Sequence, residues 1–508
     1  MKINRLLENA ALVLALGAAL SADATDYFWY GRGADTLWTT TENWSTTRDE
    51  YTPATKSPAS KNNDAVYVNT AVSVNHAFTI SVPVITESLC QRIYILDDSA
   101  PGSVTIEGIG ENRASKKPSS NAVTWQGENP MTLTLRNLTL GNADFPFGYS
   151  ECDGNGVVIE NCFSALTSNS YYFKLPPGNG GTVSIVDSVI TNNFFKRVDN
   201  VVDYGSLTFA VTNSSLRCSY FTIPGSNTVV DVVGSTFAFG SNSSIGGENE
   251  AAAVSNQNVS VHFKDSSIIA QGNCFLWISG TDSKTVLDGV DFLGNPRGLN
   301  FTGEMSLTNS SCRFNRGGSS STGNGNRGIQ GTLRLDNSEW IVTNGYSRLI
   351  GPLHVVISGA APQFEPADFS GNFALTLDFV VPKGGYAFPP VTRADVNGRE
   401  TLTFFPAGST VNVLPESRAA RVTGTGVYPL IYLKSTKTVC NLVNAPLTTL
   451  PNDKSKFLVT TDYSWEYADV NGKAESDWTE VASGFNSNVA GVAVKIVGKP
   501  PGTVIFVR

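Results

Sequence analysis

Leu133-Thr-Leu-Arg-Asn137-Leu-Thr-Leu140 sets apolar residues at alternate positions, breaks the alternation at Asn137, and then resumes it. Alternation of period two marks a strand with one buried face, and one misfit position between two such runs marks a sharp corner. The phrase returns as Val157-Val-Ile-Glu-Asn161-Cys-Phe163, Val183-Ser-Ile-Val-Asp187-Ser-Val-Ile190 and Phe209-Ala-Val-Thr-Asn213-Ser-Ser-Leu216. It continues as Val230-Asp-Val-Val-Gly234-Ser-Thr-Phe237, Val261-His-Phe-Lys-Asp265-Ser-Ser-Ile268 and Thr285-Val-Leu-Asp-Gly289-Val-Asp-Phe292. The last two copies are Met305-Ser-Leu-Thr-Asn309-Ser-Ser-Cys312 and Leu333-Arg-Leu-Asp-Asn337-Ser-Glu-Trp340. Every copy turns on Asn, Asp or Gly, the residues that tolerate left-handed backbone; other residues are penalised there by about 1–2 kcal/mol. The steps between corners are 24, 26, 26, 21, 31, 24, 20 and 28 residues, an average of 25. A repeat of that length without helical periodicity predicts stacked β-coils rather than a compact globule.

If each coil turns at the same place, corner side chains line up about 4.8 Å apart along the stack. Five corners are Asn (Asn137, Asn161, Asn213, Asn309, Asn337), and stacked amides are expected to donate to one another at a net gain of about 0.5–1.5 kcal/mol per bond. Nine coils alone predict a stack of about 43 Å. These residues resemble the right-handed parallel β-helix of the pectin-lyase-like superfamily, over about residues 100–360. The resemblance implies an all-β chain: a single-stranded right-handed parallel β-helix, a solenoid of about 25 residues per rung, with an irregular β-rich C-terminal region. Long connections such as Ser241–Gln257 are expected to bulge as loops, where such scaffolds carry variable function.

Residues 1–24 read as a secretory leader: Lys2 and Arg5, the apolar run Ala10–Leu20, and an Ala22-Asp23-Ala24 cleavage site. Export to the periplasm, the cell surface or the extracellular space follows. No later segment is long and apolar enough to span a bilayer. A net charge of −8, a pI near 5.1 and the lack of any Lys/Arg block make nucleic acid a poor partner.

Residues 25–99 are expected to hold a capping region and the first strands, 100–360 the regular coils, and 361–508 the irregular continuation. The cap is carried by Trp29-Tyr-Gly31, Trp38 and Asn43-Trp44-Ser45, large aromatics suited to closing an open core end, with exposed sugar stacking as the alternative. This block resembles the start of exported bacterial repeat proteins, including autotransporter passenger-like ones. The terminal strands Gly426-Val-Tyr-Pro-Leu-Ile-Tyr432 and Val492-Ala-Val-Lys-Ile-Val497 are similar to theirs. The closing Val504-Ile-Phe-Val-Arg508 follows neither the barrel ending nor the Pro-Glu-Pro tail of such proteins, so self-transport is not expected.

Seven cysteines (Cys90, Cys152, Cys162, Cys218, Cys274, Cys312, Cys440) are odd in number and irregular in spacing, which argues against a disulfide framework. Cys162 and Cys312 lie inside the repeat phrase and are expected to be buried; a Cys152–Cys162 bond across a loop is the alternative. His76, His262 and His354 are scattered, without metal-ligand spacing.

Candidate chemistry is sparse. Asp97-Asp98 is the one paired-Asp site of the kind found in polygalacturonase-like hydrolases, and no Gly-His-Gly or Arg-x-Lys accompanies it, so it reads as a turn. Pectate-lyase-like enzymes use a basic residue with acidic Ca²⁺ ligands from neighbouring rungs. The candidates are Lys196 and Arg197 near Asp199 and Asp203, or Arg313 and Arg316 near Asp291. Tyr171-Tyr172-Phe173 and Phe194-Phe195 fall in consecutive rungs, where Tyr171, Tyr172, Phe194 and Phe195 could form a glycan platform or pack inward. The expected function is non-catalytic and adhesin-like, with polysaccharide or cell-surface glycan as partner and no cofactor. The alternatives are a polysaccharide lyase or glycoside hydrolase, for which Ca²⁺ would serve, and a structural surface-layer or stalk component. A rung-to-rung cluster of basic and acidic side chains on one groove is the feature to seek.

Overall fold

A computed structural model describes the chain from residue 25 to 496, apart from segments 59–63, 70–76, 83–87, 98–101, 110–115, 119–122, 141–152, 165–171, 176–178, 198–204, 247–256, 315–327, 394–401, 416–425, 434–437, 445–455 and 461–477 and shorter linkers. The leader, residues 1–24, lies outside the described residues, as does Cys152. Two compact units, Met1–Leu216 and Arg217–Arg508, build the chain. Among the described residues both are β, and the one helical element is the short turn Thr41–Asn43.

In the first unit, strands Ala77–Val82, Gly102–Gly108, Met131–Arg136, Gly156–Glu160, Gly181–Val186 and Leu207–Thr212 pair in parallel, each with the next. Their registers superpose the apolar positions of the phrase. Val104, Leu133, Val157, Val183 and Phe209 form one inward file, and Ile106, Leu135, Ile159, Ile185 and Val211 another, all buried. After each corner a second parallel set runs through Thr139–Leu140, Phe163–Ser164 and Val189–Arg197.

The tryptophans of the N-terminal block are core, not surface. Strands Asp26–Trp29, Ala65–Asn69, Arg92–Asp97 and Val123–Gly127 form a parallel sheet that Trp44–Ser45 closes on the antiparallel side. Trp29, Trp38 and Trp44 are buried and meet edge to face, with ring centroids 4.8 and 4.9 Å apart. The indole of Trp44 donates to Trp38 O at 2.7 Å, and the Asn43 side chain accepts from Gly33 N and donates to Leu37 O, fixing the turn beneath.

In the second unit three parallel strand sets recur, so that each coil contributes one strand to each sheet of a parallel β-helix. The set before the corner runs Val229–Val233, Ser260–Lys264, Lys284–Asp288, Glu304–Thr308, Ile329–Asp336, Tyr346–Ser358, Leu375–Val381 and Leu402–Pro415. The set after it runs Thr236–Phe239, Ser267–Ala270, Asp291–Gly294, Ser311–Phe314, Glu339–Val342 and Gln363–Glu365. The third includes Ser243–Gly246, Phe275–Ile278 and Gly298–Phe301. Parallel order thus continues beyond residue 360, where the phrase fades. It gives way to antiparallel pairing near the C-terminus, where Gly491–Ile496 joins Gly426–Leu433 and Lys456–Thr460, Phe485–Asn488 joins Thr438–Asn444, and Thr479–Val481 joins Lys456–Thr460.

All nine corners have positive φ: 55° at Asn137, 49° at Asn161, 58° at Gly234, 63° at Gly289, and 47° at Asp187, Asn213, Asp265, Asn309 and Asn337. Within each unit the main chain holds corners in line. Asn137 N–H donates to Glu160 O, Asn161 to Val186 O, Asp265 to Asp288 O and Asn309 to Asp336 O, each at 2.8–3.0 Å. An amide-to-amide bond joins Asn161 Nδ2 to Asn137 Oδ1 at 2.7 Å. Asp187, the next corner, has no amide to extend it.

The position after the corner holds a second ladder, made of serine hydroxyls. Ser188, Ser214, Ser266, Ser310 and Ser338 are buried. Their Oγ atoms accept from the backbone N–H of Cys162, Ser188, Ser235, Val290 and Ser310 respectively, at 3.0–3.1 Å. Each hydroxyl donates to the carbonyl two residues back, as from Ser214 to Thr212 O at 2.7 Å. Cys162 takes the same place, its Sγ 3.3 Å from Glu160 O. Cys218 and Cys312 are buried inside the coil, and burial pushes both thiols up.

Candidate functional site

The parallel register that stacks the core also stacks what points outward. In the second unit, Glu304, Thr332, His354, Thr376 and Thr410 occupy one outward file of the pre-corner sheet, and Ser306, Arg334, Val356, Asp378 and Asn412 the next. Side chains of adjacent strands meet across these files. Arg334 Nε donates to Glu304 Oε1 at 2.8 Å. His354 Nε2 lies 2.7 Å from Asp378 Oδ2, and Asn412 Nδ2 donates to Asp378 Oδ1 at 2.7 Å. Thr410 Oγ1 donates to Thr376 Oγ1 at 3.2 Å. The same sheet carries a second imidazole–carboxylate pair, His262 Nδ1 to Asp231 Oδ1 at 3.0 Å.

The result is a polar strip across five neighbouring strands, Glu304–Arg334 on one side and His354–Asp378–Asn412 on the other. The Arg334, Glu304 and His354 side chains remain 49, 41 and 41% exposed, whereas Asp378, at 14%, sits lower. Partial burial pushes the Asp378 carboxyl up. Hydrogen bonds from His354 and Asn412, with the charges of His354 and Arg334, outweigh it and hold the group below the ordinary carboxylate range. A general acid for glycoside cleavage needs the opposite shift. Among the described residues no group of three or more His, Cys, Asp or Glu is placed to hold a metal ion.

The other candidates fall elsewhere. Arg313 pairs with Glu339, Nη2 to Oε2 at 2.7 Å, while Asp291 stands opposite Ser311 and Arg316 lies outside the described residues. Lys196 and Arg197 end a strand opposite Lys174 and Leu175, and Asp199 and Asp203 lie outside the described residues. Asp97 ends its strand, and Asp98 lies outside the described residues too. Of the aromatic platform, Tyr172 stands opposite Phe194 and Phe173 opposite Phe195. Phe195 takes the inward alternative: it is fully buried and packs edge to face on Phe209 at 6.4 Å, so its ring belongs to the core rather than to a sugar-binding surface. Tyr171 lies outside the described residues.

The sequence reading missed the strip because its partners are far apart along the chain: 30 residues from Glu304 to Arg334, 24 from His354 to Asp378 and 34 from Asp378 to Asn412. A signal was present nonetheless. Arg334 is the outward residue of Leu333-Arg-Leu335, and aligning the phrase copies on their corners puts such residues in columns. Comparison with protein-family models, with characterised proteins and with solved structures gave no match.

Proposed function

We propose that the chain is an exported, non-catalytic, adhesin-like β-helix that binds extended glycans along the outward face of its pre-corner sheet. The carrying observation is the strip Glu304–Arg334 and His354–Asp378–Asn412, which offers exposed hydrogen-bonding groups at the strand spacing of about 4.8 Å. The Glu304 charge is neutralised by Arg334, which suits a hydroxyl-rich polymer. The carboxylates are already engaged, Glu304 by Arg334 and Asp378 by His354 and Asn412, and Asp378 is held in the ionised form. The leader supports export, and the corner-and-strand phrase supports kinship with pectin-lyase-like and passenger-like proteins. Cleavage of the bound polymer is the competing reading, favoured by one observation: the carboxylate of Asp378 orients the His354 imidazole as it would a general base.

The test is to incubate the chain from Thr25 onward with neutral and acidic polysaccharides, with and without Ca²⁺, and to measure both co-sedimentation and product size. Co-sedimentation of intact polymer, lost in Arg334→Ala and Asp378→Ala, is the expected result. Shortened polymer transfers the protein to the lyases or hydrolases. No association with any polymer removes glycan binding and leaves a structural role.

A further inference from the structure

The polar strip occupies five of the eight strands in the pre-corner set of the second unit. The outward file that carries Ser306, Arg334, Val356, Asp378 and Asn412 does not begin at Ser306. The register takes it back through Val286 on Lys284–Asp288, His262 on Ser260–Lys264 and Asp231 on Val229–Val233. These positions form one line, and none of them is buried: Val286 is 38% exposed, and the His262 and Asp231 side chains are 39 and 48% exposed. Seven strand steps of about 4.8 Å set Asp231 about 34 Å from Asn412.

Polar groups gather at both ends of this line. At one end His262 Nδ1 meets Asp231 Oδ1 at 3.0 Å, which leaves His262 Nε2 and Asp231 Oδ2 outside that bond. At the other, Asp378 is held by His354 and Asn412. A carboxylate accepts from more than one hydroxyl, and a neutral imidazole keeps one donor and one acceptor. Each end therefore presents oriented partners for sugar hydroxyls. The middle is sparser: Val286 and Val356 present methyl groups and Ser306 one hydroxyl. Apolar ground of this kind suits the C–H faces of sugar rings. Both ends carry an outward carboxylate, and the one arginine in the line is taken by Glu304, so a polyanion finds no free cation in it.

We propose that the glycan site runs the length of this line, with Asp231–His262 as its second station, and that its ligand is a linear neutral polysaccharide lying along the stack, across the strands. The ligand class rests on the glycan reading above; the length, the direction and the second station rest on the register. An extended sugar chain advances by about one strand spacing per unit, so about seven units bridge the two stations. Once one station is engaged, the other binds within the same complex, and affinity climbs with chain length until both are filled.

The experiment titrates the full chain by calorimetry with linear fragments of cellulose, mannan and xylan, from about two to about eight units, and with oligogalacturonates of the same lengths. Wild-type affinity is expected to rise about tenfold or more from the shortest to the longest members of at least one neutral series. His262→Ala and Asp231→Ala, like Asp378→Ala at the other end, are expected to abolish that rise. Lys456→Ala, which breaks the exposed Lys456–Glu480 pair on the antiparallel strands near the C-terminus, is the control and should leave every affinity as it was. Circular dichroism and unfolding midpoints verify folding, and Asp231→Ala serves if His262→Ala fails to fold. Two results overturn the long site while the glycan reading stands. One is an affinity that stops rising at about three units, a length confined to one station. The other is a rise that survives both His262→Ala and Asp231→Ala, as it would if longer chains only offered more registers on the strip. Tighter binding of oligogalacturonates overturns the neutral ligand. If no fragment of any series binds, the long site falls, and co-sedimentation of the wild type with intact polysaccharide decides whether the glycan reading falls with it.

Discussion

Ser310 ties three rungs together. Its Oγ lies 2.8 Å from Thr308 O and accepts from Val290 N at 3.0 Å, while its own N–H donates to Ser338 Oγ at 3.0 Å. Ser310→Ala strands the buried Val290 N–H, and a loss of about 1–3 kcal/mol is expected, read as a lower urea midpoint. At Asn213, with φ of 47°, substitution by Leu brings left-handed strain of about 1–2 kcal/mol. An unchanged midpoint for Asn213→Leu would sink the assignment of that corner. The two positions differ in how plainly the sequence announces them. Few residue types accept left-handed backbone, so a column of Asn, Asp and Gly is informative. A serine following Asn is ordinary turn chemistry, and nothing in one copy of the phrase distinguishes a solvated hydroxyl from a rung of a buried ladder. Cys162 fits the same place because a thiol donates to the Glu160 carbonyl as a hydroxyl would.

Between strands, the polar strip makes a claim that acid can test. Asp378 has a folded-state pKa below its unfolded value, so its pairing stabilises the protein above the ordinary carboxylate pKa, and that contribution is lost as pH falls through the folded value. The window lies at and below about pH 4. Asp378→Asn cannot titrate, so its midpoint should fall less steeply on the acid side than that of the wild type; superimposable slopes would remove the His354–Asp378–Asn412 assembly as a folded-state interaction. Strand existence was legible at this scale, since alternation alone defines Leu333-Arg-Leu335. Strand partners were legible through the corners. The direction of pairing near the C-terminus was not, because the apolar run Val492-Ala-Val494 reads as a strand whether its neighbour runs parallel or, as in Gly426–Leu433, antiparallel. Whether Phe195 joins a platform or packs inward stayed open for a related reason: Phe194-Phe195 places an aromatic on each side of the strand, and the doublet does not say which one faces in.

At the scale of the molecule, stability should reside in the buried files rather than in surface charge. The pairs Arg136–Glu160, Arg313–Glu339 and Arg334–Glu304 are all substantially exposed, and exposed pairs contribute about 0–1 kcal/mol each. Molar salt should therefore leave the unfolding midpoint nearly unchanged. Trp340→Ala, which empties a fully buried position between Phe301 and Phe314, should lower it by about 3–5 kcal/mol. A large salt effect with a mild Trp340→Ala would reverse this apportioning. The fold was readable because one phrase is written nine times; the sites were not, because function lies in columns that cut across the chain. The corner register has an editorial consequence. Excising residues 289–308 would splice Asp288 to Asn309 and leave Thr285-Val-Leu-Asp288 running straight into Asn309-Ser-Ser-Cys312, a phrase as grammatical as any the chain already contains. Such a protein would lose one storey of about 4.8 Å, and with it Glu304, while every remaining floor kept its wiring. The coil is thus a text that can be cut by the line, with binding and folding deleted separately.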